Sequence, residues 1–175
     1  MSAEPIAEQI EEDIPGQEVD QGEEYLTFHL AEEEYGVDIL RVQEIRGWEP
    51  VTRIPNSPEY VKGVLNLRGS IVPIIDLRTR FNLPQSEYTP MTVVVVLSVK
   101  SESGDRERIM GVVVDAISDV VTAKMSEIQA TPKFDMSINI DYISGLATAA
   151  DKMIMLVDVD KMLNIQDMTG QVESE

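Results

Sequence analysis

An all-β fold with only short helices, built of small closed barrels and not of a βαβ sheet, is what the sequence predicts. Three observations predict it: strand signals recur about every ten residues, long helical periodicities are missing, and Gly or Pro breaks are frequent. The chain has 175 residues, 43% of them hydrophobic, enough for one domain, or two small halves sharing a core, to bury a substantial interior without staples. No close internal repeat is visible.

Taken in order, the acidic start comes first. Residues Met1 to Glu24 carry nine acids and no Lys or Arg, and Asp167, Glu173 and Glu175 add charge at the other end. Between them, Tyr25 to Ile165 holds 20 acids against 14 bases, so most of the formal charge of −18 belongs to the termini. A leader with Pro5, Pro15 and few large apolar side chains reads as disordered over 1–22, and 166–175 reads as a flexible acidic tail flanking a folded part at 23–165.

"YLTFHL" then alternates, with Leu26, Phe28 and Leu30 on one face and Tyr25, Thr27 and His29 on the other, which predicts a strand. "AEEEYG" reads as a turn, and "DILRVQEI" as a short helix-like turn opened by Asp38 as cap, with Ile39, Val42 and Ile45 at three-residue spacing. "VTRI" is a further extended piece, and the two prolines of "PNSPEY" mark a loop. The next run, "GVLNLRGSIVPIIDLRTRF", predicts a hairpin with Arg68 at its tip and Gly69 closing a bulged type I turn in the left-handed conformation. Pro73 has no amide donor, which predicts a sheet edge or a bulge at that point. "MTVVVVLSV", almost continuous in Val and Leu, predicts a strand buried on both faces, and "SESGDRE" returns the chain into "RIMGVVVDAI" as a second hairpin. Beyond it "VVTAKMSEI" and "TPKFDMSINIDYISG" are less regular, "KMIMLVDV" is again a strand with Asp158 and Asp160 on one face, and "DVDKMLNI" reads as a terminal helix.

Function classes can be narrowed by what is absent. With no Cys and a single His, His29, thiolate chemistry is excluded and histidine metal sites or relays have almost nothing to work with, so no metal or other cofactor is expected. There is no G-x-S-x-G, glycine-rich phosphate loop, H-E-x-x-H or D-[ST]-G pattern. Catalytic residues are therefore expected to be none, although an enzyme working through scattered carboxylates stays open as an alternative. Nucleic acid is excluded as a partner by the lack of clustered Lys and Arg. The N-terminus lacks a secretory pattern and no apolar run approaches the roughly 18 residues of a membrane span, so the expectation is a cytoplasmic protein without membrane insertion.

Three stretches carry a resemblance. "EYGVDILRVQEI" (Glu34 to Ile45), "VKGVLNLRGSIVPIIDLR" (Val61 to Arg78) and "GVVVDAISDVV" (Gly111 to Val121) resemble, in order and spacing, the signature stretches of the CheW family of chemotaxis coupling proteins, and the likeness runs over about Glu24 to Ile165. The long acidic leader and Trp48 depart from the common pattern. The resemblance implies two small five-stranded SH3-like β-barrels packed around a shared hydrophobic core and a non-enzymatic adaptor. Its implied partners are the histidine kinase CheA, through its regulatory domain, the cytoplasmic tips of methyl-accepting chemoreceptors in membrane-associated arrays, and other coupling proteins in array rings. Relatives fuse the module to the kinase or to a receiver domain, and 175 residues leave room for neither, which favours a stand-alone coupler. A regulator that binds the kinase without receptors is the other reading.

By the same resemblance Glu44, Ile45, Arg68 and Gly69 belong to the kinase-binding end, with Glu44 and Arg68 close to one another. Val42, Gly63, Val93, Ile117 and Val120 match positions tied to receptor or kinase contact and are assigned to the receptor. Against this stands the general tendency of apolar residues in β-proteins to be core and of exposed arginines to have no role.

Overall fold

The computed structural model describes residues 22–101, 103–130, 140–149 and 151–163. The expected leader, apart from Gly22, and the expected tail at 166–175 lie outside the described residues.

β1 (Glu23–Leu30) and β2 (Glu33–Asp38) form a hairpin whose turn puts Ala31 at φ 56°. The turn is shorter than "AEEEYG" suggested, because Tyr35 and Val37 are core residues. Asp38 does cap a turn of 3-10 helix, Ile39–Arg41, its carboxylate accepting from the Leu40 amide at 2.9 Å. Val42–Gly47, however, is strand β3 and not helix, since pairing with β6 (Val93–Lys100) overrides the three-residue spacing. β4 (Val61–Leu67) and β5 (Ser70–Asp76) make the expected hairpin, followed by one helical turn, α1 (Leu77–Arg80), capped by Asp76. β6 and β7 (Glu107–Val114) make the second hairpin, and every residue of β6 from Val94 to Val99 is buried, as its apolar run implied. β8 (Ala116–Ala123), the two-residue β9 (Ile128–Gln129), β10 (Ile143–Ala149), β11 (Lys152–Val157) and α2 (Val159–Met162) follow among the described residues. Asp158 and Asp160 are therefore not strand neighbours: the first caps α2 and the second lies in its first turn.

The strands form two sheets, one ordered β8-β1-β2-β11-β10-β9 and the other β3-β6-β7-β5-β4. This bears out the mostly-β expectation. It also corrects the reading that the chain has no internal repeat. Residues 142–149 and 151–163 are built like their counterparts 60–67 and 69–81: a Tyr carbonyl accepts from the amide of the helix-capping Asp (Tyr60–Asp76 and Tyr142–Asp158, both 2.8 Å). In both, the first strand bulges just before a glycine, between Val61 and Gly63 and between Ile143 and Gly145. The second strand, β5 or β11, then pairs in parallel with β7 or β2. The halves are exchanged: β1 and β2 sit with β10 and β11 from the second half, while β6 and β7 sit with β4 and β5 from the first. β3 and β8 likewise cross to the other half's hairpin. Neither sheet can form from one half alone.

Each sheet faces its own cluster, Leu67, Val72, Ile74, Val94, Val96 and Val113 in one and Ala123, Ala147, Ile154 and Leu156 in the other. Between them lies the larger common core, which includes Phe28, Tyr35, Leu97, Phe81, Met162 and Leu163. Phe28, Tyr35, Phe81 and Tyr142 form a row of rings with centroids 6.0, 5.5 and 6.0 Å apart. Arg80 stacks on Tyr60 at 4.5 Å and on Tyr142 at 4.9 Å, joining the two repeats. Arg78 grips Asp115 with two hydrogen bonds, 2.9 and 2.6 Å, and donates to the Pro84 carbonyl at 2.7 Å. Among the described residues no helix is long and apolar enough to cross a membrane.

α2 is held by Asp160, which takes both terminal nitrogens of Arg41 (2.8 and 2.7 Å) and the Lys100 amide (2.8 Å). Burial alone would raise the Asp160 carboxyl, but the Arg41 and Lys100 hydrogen bonds and the Arg41 charge outweigh it and hold it below the usual carboxylate range. A carboxyl lowered on folding stabilises above its unfolded pKa, about 3.9, and that contribution is lost as pH falls through the folded value. Asp160→Asn should therefore melt below the parent at pH 7 and converge with it in acid. A gap that stays constant from pH 7 to pH 3 in thermal melts would show that the charge is not what holds α2.

Candidate docking site

The Arg68 hairpin is a two-residue turn and not the bulged type I turn expected, since Leu67 pairs directly with Ser70 and the bulge lies at the strand's other end. Arg68 and Gly69 both have positive φ, 52° and 89°, the signature of a type I′ turn. The Asn66 side chain steadies it by accepting from the Gly69 amide at 2.9 Å. Asn and Gly are the residues this turn favours at its first centre. An arginine there is held in a sparsely populated conformation, a kind of strain that gathers at functional sites. Gly69→Val should cost about 1 to 3 kcal/mol, from backbone strain alone, since nothing lies within 4 Å of its would-be Cβ. Gly69→Asn should be milder, and equal melting temperatures for both variants and the parent would contradict the turn assignment.

β3 and β4 are the two outer strands of their sheet, yet its edges meet near this tip. Thr52 bridges to Val64 on β4, and the Arg68 guanidinium donates to Glu44 Oε1 on β3 at 2.8 Å. Alternation along β3 turns Glu44 and Arg46 to one side and leaves Ile45 exposed on the other. The Arg68 side chain is 80% exposed and that of Glu44 only 23%. Arg46 also reaches Glu44, at 3.4 Å on Oε2, and Glu49 at 2.6 Å. Behind the site, Trp48 meets Tyr88 edge-on at 4.5 Å, and the Tyr88 hydroxyl donates to buried Asp76 at 2.6 Å. Burial, then that hydrogen bond and the Asp76 charge, push the Tyr88 hydroxyl well above the usual phenol range.

The four residues expected at the kinase-binding end thus sit on two elements linked by one ion pair. The other five do not gather in the same way. Val42, Val93 and Ile117 are half-buried against the common core, while Val120 on the edge strand β8 is 46% exposed. Gly63 is buried at φ 152°, where a Cβ would stand 2.2 Å from the Thr52 carbonyl oxygen, so its part is to let the chain pass close. The sequence reading missed Arg46 and Glu49; treating "VQEIRG" as a strand would have put Glu44 and Arg46 on one face. Among the described residues no three of His, Cys, Asp and Glu converge as metal ligands.

A small β module with a charged, strained hairpin tip and no convergent metal ligands among the described residues has the features of a docking protein rather than of an enzyme. The family model described as the CheW-like domain matches residues 24–167, and the chain belongs to that family. It is similar to the chemotaxis protein CheW of Klebsiella aerogenes, 46% identical over 147 residues covering 84% of this chain and 85% of the relative. The chemotaxis protein CheW of Rhizobium meliloti is 38% identical over 141 residues, 81% and 87% of the two chains. Among solved structures, scaffolding protein TtCheW from Thermoanaerobacter tengcongensis superposes with a TM-score of 0.72 at 30% identity, covering 82% of this chain and 89% of that one. The family makes this chain a non-catalytic scaffold of chemotaxis, and the alternative of an enzyme using scattered carboxylates falls.

Proposed function

We propose that the chain couples the cytoplasmic tips of methyl-accepting chemoreceptors to the regulatory domain of the histidine kinase CheA, as a cytoplasmic component of membrane-associated receptor arrays. Residues 23–165 form the working module. Glu44, Ile45, Arg68 and Gly69 make the kinase-binding end. The receptor is assigned to the region of Val42, Gly63, Val93, Ile117 and Val120, where Val120 offers exposed apolar surface and the others shape it from within.

The observation that supports this reading best is the Glu44–Arg68 pair. It joins the two edges of one sheet at 2.8 Å and fixes a guanidinium that is otherwise open to solvent. An exposed pair of this kind adds little to stability, roughly 0.2 to 1 kcal/mol. Its value is the fixed shape it offers a partner, with Ile45 exposed beside it.

Capture of purified kinase and of soluble receptor-tip fragments, separately and together, tests the reading. The expected result is binding to each and a complex containing all three. Kinase binding with no receptor binding under any condition would favour the free-standing regulator instead.

A further inference from the structure

We infer that Arg46, braced by Glu49, is a positioning residue for the Glu44–Arg68 tip. The inference rests on the reading that the kinase docks there. One carboxylate serves two guanidiniums: Glu44 Oε2 faces Arg46 at 3.4 Å, and Oε1 takes Arg68 at 2.8 Å. Arg46 in turn gives its other terminal nitrogen to Glu49 at 2.6 Å, and its buried Nε has no hydrogen-bond partner among the described residues. A guanidinium committed through both ends, at the expense of its Nε, fixes the rotation of the carboxylate between them. Glu44 then presents Oε1, and not an arbitrary edge, to Arg68. Arg46 is 31% exposed against 80% for Arg68, so a partner meets Arg68 first and Arg46 acts through Glu44.

The other half of the molecule supplies a comparison. Following the repeat, Ile45 on β3 corresponds to Val120 on β8, and Ile71 on β5 to Met153 on β11. All four are exposed, at 43%, 46%, 64% and 63%. The apolar positions are thus kept at both ends. The charged ones are not: Asp119 stands for Glu44 and accepts from the neighbouring Val120 amide at 2.7 Å, and Val121 stands for Arg46. The chain Glu49–Arg46–Glu44–Arg68 is what distinguishes one end from the other, and charge of this kind selects between partners more than it adds affinity.

Calorimetric titration of the full chain with the kinase regulatory domain tests this, using Arg46→Met, Arg46→Lys, Glu49→Gln, Glu44→Ala, Arg68→Ala and the Arg46→Met/Arg68→Ala double variant, each with its melting temperature. Arg46→Met should weaken binding roughly threefold to tenfold, in the lower part of the roughly twofold to hundredfold span of coupling between groups in contact. The loss should vanish in the Arg68→Ala background, and Arg46→Lys should restore part of it. Glu49→Gln, which keeps volume and cannot collapse the fold, should weaken binding in the same direction. If Arg68→Ala weakens binding and neither Arg46→Met nor Glu49→Gln does, the positioning role is overturned and the docking reading stands. An equal Arg46→Met loss with and without Arg68 also overturns it. If Arg68→Ala and Glu44→Ala are both silent, the docking reading fails and carries the inference with it.

Discussion

Replacing Gly63 by alanine should destabilise the protein by about 3 to 5 kcal/mol, combining strain at a positive φ with overpacking. The residue sits at φ 152°, and an added Cβ would stand 2.2 Å from the Thr52 carbonyl oxygen and 2.8 Å from its carbon, both backbone atoms. Thr52 cannot withdraw cheaply, because its amide and carbonyl are both hydrogen-bonded to Val64, at 3.1 and 2.8 Å. Two controls separate the causes. Gly145, the matching residue of the other repeat, has no such φ, and its Cβ would meet first a movable Ile128 methyl at 2.8 Å, so Gly145→Ala should cost less. Gly69→Ala has strain without any clash and should also cost less. Because domains of this size are stable by only about 5 to 15 kcal/mol, Gly63→Ala should also lose partner binding through loss of folded protein. A Gly63→Ala protein that melts with the parent would contradict the close passage.

Phe81→Ala should cost about 3 to 5 kcal/mol, the usual range for emptying a buried aromatic site. Phe81 is fully buried and stands between Tyr35 at 5.5 Å and Tyr142 at 6.0 Å, where strands from both halves meet. At this chain length the loss corresponds to a drop of about 10 °C in melting temperature. The matching position of the second repeat is Leu163, also fully buried, so leucine suits this corner of the fold. Phe81→Leu should therefore cost less than half as much. Differential scanning calorimetry decides it: equal melting points for Phe81→Ala and Phe81→Leu would mean that leucine does not fill this corner as Leu163 fills its counterpart.

Much of this was legible in the sequence because it rests on local pattern. The alternation of Leu26, Phe28 and Leu30 and the apolar run of β6 gave strands with the right faces buried, and Asp38 gave a cap. What was not legible depends on partners distant in the chain. β3 looked helical since its three-residue spacing was read without β6. Pro73 suggested an edge or a bulge at that point, whereas β5 is interior, Pro73 pairs regularly with Val64, and the pairing with β7 begins only at Ile74, leaving Pro73 bonded on one side. The repeat escaped notice because its two hairpins share only Tyr, Gly and Asp at matching positions, Tyr60 and Tyr142, Gly63 and Gly145, Asp76 and Asp158. Of these, Asp76 and Asp158 cap the helical turns with their side chains and Tyr60 and Tyr142 offer their rings to Arg80, while the apolar remainder varies within the limits of packing. At the site, the family resemblance brought Glu44 to Arg68. The turn type escaped because it depends on the register that pairs Leu67 with Ser70, and the Arg46 brace because β3 looked helical.

Whether a fixed Glu44–Arg68 pair shapes the proposed kinase-binding end is tested most directly by a double-mutant cycle on kinase affinity. Arg68→Ala and Glu44→Ala should each weaken binding with the fold intact, and the two losses should fail to add, by about 0.5 kcal/mol or more. Joining Glu44→Arg to Arg68→Glu should recover part of the binding at low and at physiological salt, the comparison showing how far screening matters. Additive losses, a nearly silent Glu44→Ala and no recovery on charge reversal would contradict the claim, and would mean that Arg68 reads an acid on the partner without help from Glu44.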